Sequence, residues 1–120
     1  MDSSLINAAA LRERRCEPCE GGVEPLNGTE ARRLLASLDD AWALSEDGRS
    51  LARSMAFAGW NRAIAFANAV SWIANTEGHH PVIELGYGYC NVVWTTHAID
   101  GLSVNDFICA AKTDQLLDAV

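Results

Sequence analysis

The sequence predicts an α+β domain, a four-stranded antiparallel sheet with three helices packed on one face. Three observations carry this prediction. Residues 60–77 repeat apolar side chains at three- and four-residue steps, the period of a helix with one buried side. Two pairs of short apolar stretches are each joined across a glycine-containing turn, which reads as two hairpins. Polar cap residues precede two further helical stripes. The order is therefore helix-strand-strand-helix-strand-strand-helix. Hairpins pair antiparallel, and a sheet with one apolar face must cover it with helices. A chain of 120 residues suits one such core.

Residues 1–25 read as a flexible N-terminal extension. Pro18, Gly21, Gly22 and Pro25 interrupt regular structure there, although a short helical piece is expected at Asn7–Arg15. The folded domain is expected over 26–120. Asn27-Gly28-Thr29-Glu30 has the form of a capping box, and Leu34, Leu35 and Leu38 extend a helix over about 29–39. Trp42–Ser45 and Leu51–Phe57 flank Asp47-Gly48, a pair favoured in hairpin turns. In the second stretch Leu51, Arg53, Met55 and Phe57 fall on one side of a strand.

The long helix spans Trp60–Glu77, with Ala63, Phe66, Val70 and Ile73 as its apolar stripe. Gly78 suits a left-handed cap, and Pro81 bars the helix from resuming. Val82–Leu85 and Cys90–Thr96 form the second hairpin around Gly86-Tyr87-Gly88. A last helix runs from Ser103 to Asp118, opened by the cap-like Ser103-x-x-Asp106.

Composition narrows the function. Nine basic and 16 acidic residues leave a net charge of -7, of which -5 falls on 26–120. Such a chain repels a phosphate backbone, so direct nucleic-acid binding is not expected. No apolar run approaches the ~20 residues that span a bilayer, and residues 1–15 lack the apolar core of a signal peptide. A cytoplasmic location, with no membrane partner, is the expectation. Cys16 and Cys19 form one CxxC in the extension, whereas a closed zinc site needs four ligands. Cys90 and Cys109 lie in apolar stretches and read as small hydrophobes.

The candidate chemistry rests on three histidines, His79, His80 and His97. Two precede the first strand of the second hairpin and the third follows the other strand. Hairpin pairing brings these two ends together, so three imidazoles share one edge of the sheet. Histidine titrates near neutrality and serves in proton transfer. Two other readings fit the same cluster: side chains decorating a helix end, or zinc ligands. Adjacent strand residues point to opposite faces, which counts against all three holding one ion.

Glu77-Gly78-His79-His80-Pro81, then Tyr87, Thr95-Thr96-His97, Gly101-Leu102-Ser103 and Asn105-Asp106 closely resemble the pterin-4a-carbinolamine dehydratase family. That family's pattern is a histidine pair before proline, an aromatic after five or six residues, a histidine after nine more, and a later aspartate. Trp42, Asn61-Arg62-Ala63 and Phe66 are also similar to it. The resemblance covers about 26–118, and the CxxC-bearing extension resembles those of some bacterial relatives.

What the resemblance implies is dehydration of 4a-hydroxytetrahydropterin to quinonoid dihydropterin. His79, His80 and His97 are then the catalytic set, with His79 and His97 moving protons and His80 binding the ring. Asp106, Asn75 and Trp42 are the expected substrate-binding residues. General acid–base steps need neither metal nor other cofactor. The family's oligomers imply a homodimer or homotetramer. The family usually carries an acidic residue where this chain has Asn75, which can hydrogen-bond but cannot act as a base. Some relatives act as binding proteins, so the alternative is a catalytically weak member serving as a protein-binding or assembly scaffold. A metal hydrolase would need a further acid beside the histidines, for which Asp106 is the candidate.

Overall fold

The computed structural model describes residues 7–18 and 23–118. Cys19, the second cysteine of the CxxC, lies outside the described residues, as do Gly21 and Gly22. The elements are α1 (Ala8–Glu13), α2 (Gly28–Leu35), β1 (Ala43–Leu44), β2 (Leu51–Ala56), α3 (Trp60–Glu77), β3 (Val82–Gly86), β4 (Tyr89–Trp94) and α4 (Val104–Asp118). The four strands form one antiparallel sheet in the order β1-β2-β4-β3. The α+β architecture is the expected one.

Each element follows from local chemistry. Asn27 and Glu30 close a reciprocal capping box on α2, satisfying two amides that a helix start leaves free. That helix ends sooner than the leucine spacing suggests, yet Leu38 is still buried in the turns beyond it. Asp47 organises the first hairpin turn by accepting from the Ser45 hydroxyl and the Arg49 amide. The second hairpin turns on Tyr87 and Gly88, with Gly88 at φ +85° and Gly86 opposite Tyr89. Alternate residues of β4, namely Cys90, Val92 and Trp94, are buried, as befits a strand paired on both sides. The stripe on α3 is buried as spaced, widened by Ala67 and Ala74.

The core joins Leu51, Met55, Cys90, Val92 and Trp94 of the sheet to apolar residues of α2, α3 and α4. Arg53 shares that face of β2, and its Nη1 reaches the Asp114 carboxylate at 2.7 Å. The extension adds a fourth helix. Residues 7–18 are laid against the domain: α1 packs on α4 and buries Leu11, and Lys112 Nζ donates to the Arg12 carbonyl at 2.8 Å. Among the described residues no helix is long and apolar enough to cross a membrane.

Candidate active site

The end of α3 delivers the histidine pair. Gly78 takes the left-handed conformation, φ +66°, which glycine adopts without a Cβ penalty. The amides of Gly78 and His79 both return to the Ala74 carbonyl. This tight turn carries His79 inward, to 9% exposure, and leaves His80 exposed.

His79 is then fixed from two sides. Its ring stacks on Trp94, with centroids 5.8 Å apart and planes 7° from parallel. Its Nε2 lies 2.6 Å from Asp106 Oδ1. Asp106 is fully buried in the first turn of α4. Its Oδ2 accepts from the Thr96 hydroxyl at 2.8 Å and the Ser103 amide at 3.0 Å. That last bond is one half of the capping pattern visible in Ser103-x-x-Asp106. Because a carboxylate only accepts, His79 pairs with it by donating from Nε2, which leaves the lone pair on Nδ1.

The three histidines line one pocket of about 420 Å³, together with Thr95, Thr96 and Asn105. A volume of this order suits a small organic ring. The hairpin explains the convergence: Val82 pairs with Val93, so the chain before β3 and the chain after β4 leave the sheet side by side. A single bridge between Thr96 and Gly101 then closes a tight turn, and His97 opens a short 3₁₀ segment within it. His80 and His97 are both exposed.

Three residues expected to bind substrate do not line this pocket: Asp106, which is fully buried and holds His79 instead, and Trp42 and Asn75. Trp42 is a core residue, 3% exposed, and its Nε1 donates to both oxygens of Asp114 at 2.8 and 2.9 Å. Asn75 is exposed on α3 and does not line the pocket. Among the described residues no group of three or more His, Cys, Asp and Glu side chains is arranged to hold a metal ion.

Comparison with known proteins places this geometry. The family model described as pterin 4 alpha carbinolamine dehydratase matches residues 24–116. The chain belongs to the pterin-4a-carbinolamine dehydratase family. A Nitrosomonas eutropha protein provisionally named pterin-4-alpha-carbinolamine dehydratase is 48% identical over 113 residues, which is 94% of this chain and 98% of the relative. A Legionella pneumophila protein with the same provisional name is 48% identical over 107 residues, 89% of this chain and 95% of its own length. The crystal structure of a transcriptional coactivator/pterin dehydratase from Brucella melitensis superposes with a TM-score of 0.73 at 25% identity, covering 78% of this chain and 98% of that one.

In this dehydratase-family chain the extension also reaches the pocket. Cys16, Glu17 and Pro18 line it, as does Glu77. The Glu77 side chain is only 4% exposed and pairs with Arg15 Nε at 2.9 Å and Lys112 Nζ at 3.9 Å. It also accepts from the Cys16 amide at 2.8 Å. Burial by itself would raise its pKa. The Cys16 and Arg15 hydrogen bonds, with the Lys112 and Arg15 charges, outweigh burial and hold it below the ordinary value. The helix turn accounts for the contrast with exposed Asn75, since residues two apart on a helix lie nearly opposite. No local sequence signal marks Glu17, because its partner Asn105 lies 88 residues away in the chain.

Proposed function

We propose that this chain dehydrates 4a-hydroxytetrahydropterin to quinonoid dihydropterin by histidine acid–base catalysis, recycling the pterin cofactor of aromatic amino-acid hydroxylases. The reading rests chiefly on three histidines converging in one pocket, one of them held by a buried carboxylate. Family membership over residues 24–116 supports the same substrate class.

The reaction breaks the C4a–O bond and removes one ring N–H proton, so the net loss is a water molecule. One group must protonate the departing hydroxyl and one must accept the ring proton. His79 is suited to proton transfer because Asp106 fixes its tautomer and ring orientation, as a carboxylate does for a catalytic imidazole. His97, exposed in the same pocket, supplies the second proton-transfer group. His80 binds the ring. Trp42 and Asn75, which do not line the pocket, have no part in the proposal.

A dehydration assay on 4a-hydroxytetrahydropterin tests it. His79→Ala and His97→Ala should each lower kcat by roughly 100-fold or more, the scale of one positioned acid or base. Wild-type turnover no faster than the uncatalysed reaction would overturn the function. Full activity in both variants would overturn the roles.

We also propose that the chain forms a homodimer or homotetramer. Trp72 on α3 is 67% exposed, and β3 ends the sheet, with no strand on its outer side among the described residues. Both are surfaces that a second copy would cover.

A further inference from the structure

We propose that Glu17, in the N-terminal extension, is a specificity-determining residue that binds the paired N–H donors of the substrate's pyrimidine ring. The inference rests on the pterin reading above. The extension is part of the pocket wall, and its backbone is held there on both sides of Glu17. The Glu17 amide donates to Asn105 Oδ1 at 3.0 Å, and Asn105 Nδ2 donates back to the Glu17 carbonyl at 2.7 Å. Asn105 is itself only 6% exposed on α4, so the clamp is anchored in the domain. Pro18 follows and restricts the chain further.

Three carboxylates belong to this region, and two are already engaged. Glu77 is taken up by Cys16 and Arg15. Asp106 is taken up by His79, Thr96 and Ser103. The Glu17 residue is exposed, and its carboxylate has no hydrogen-bond or ion-pair partner among the described residues. A pterin presents an exocyclic amino group beside a ring N–H, two donors at the spacing of an amidine. A carboxylate offers two acceptors at the matching spacing and bonds such a pair in bidentate fashion. Glu17 thus recognises one end of the ring while the histidines act at the other. Asn105 is a positioning residue that acts through the Glu17 backbone.

Binding of 7,8-dihydrobiopterin and of its 2-desamino analogue to the full chain tests this by calorimetry, beside dehydration kinetics. Glu17→Gln should weaken dihydrobiopterin binding and raise KM by roughly tenfold, the scale of one charge-assisted hydrogen bond. At saturating substrate kcat should change by no more than about twofold, as for loss of uniform binding. The analogue, which keeps the ring N–H but lacks the amino group, should lose less affinity on Glu17→Gln than dihydrobiopterin does. Asn105→Ala should raise KM in the wild-type background but not on top of Glu17→Gln. Unchanged dihydrobiopterin binding in Glu17→Gln, or an equal Asn105→Ala effect in both backgrounds, would overturn the inference while wild-type dehydration still stood. A wild type that neither binds nor dehydrates the pterin would overturn the function and this inference together.

Discussion

His79 and Asp106 lie 27 residues apart in sequence and 2.6 Å apart in space. The pair is buried, so its geometry depends on every bond that holds Asp106. Asp106→Asn preserves the shape but replaces an oxygen with a donor amide, which cannot accept from both Thr96 and Ser103 while also accepting from His79. We expect a loss of about 1–3 kcal/mol in stability, the cost of an unsatisfied buried polar group, and a fall in kcat that adds nothing to the loss already present in His79→Ala. Chemical denaturation and the dehydration assay check both. Glu77 carries a pH signature. Its folded pKa lies below its ordinary value, so the stability it contributes is present above that value and is lost as pH falls through the folded one. Wild type should exceed Glu77→Gln in urea midpoint at pH 7, with the difference shrinking toward pH 3. A constant difference would refute the linkage. The histidines themselves were legible from their spacing. Glu17 was not, because the contacts that bring it to the pocket, the Asn105 clamp and the Cys16–Glu77 bond beside it, span 88 and 61 residues.

Among the elements, α3 and the two hairpins were legible because their signals are local. The apolar stripe of α3 and its terminating Gly78 depend on neighbours three or four residues away. The Asp47-Gly48 turn likewise carries its own hydrogen bonds. The role of Trp42 was not legible. A tryptophan at the start of a strand fits a pocket wall and a core equally well, and the choice fell to Asp114 on α4, 72 residues away. Asp114 ties Trp42 and Arg53 to α4, joining the sheet's edge to the last helix. Burial pushes its pKa up, against the opposing pull of Trp42 and Arg53. Asp114→Ala leaves the mostly buried Arg53 charge with only the longer, more exposed contact to Asp39 at 3.7 Å and should cost about 3 kcal/mol, the scale of breaking a buried pair. Thermal unfolding measures it, and a change in Tm within error would show that solvent already carries that charge.

At the scale of the whole molecule, the chain leaves Trp72 exposed on α3 and β3 at the sheet edge, beginning at exposed Val82. Sedimentation at micromolar concentration should return a multiple of 13.0 kDa. Trp72→Asp should shift it toward the monomer if the α3 face is the contact, and a monomeric wild type would refute the assembly. The extension shows where sequence reading stops at this scale. Its prolines and glycines suggest an arm, and over 7–18 it lies on α4 through Leu11, Arg12, Cys16 and Glu17. The sequence by itself determined the order of elements, the hairpin that gathers His79, His80 and His97, and the cap that places Asp106 in the first turn of α4. Periodicity, turn chemistry and capping act within a few residues, so they are written locally. Only the tertiary structure decided that Asp106 holds His79, that Trp42 faces Asp114, and that the extension walls the pocket. Those contacts join segments tens of residues apart, and they follow from how the helices pack on the sheet.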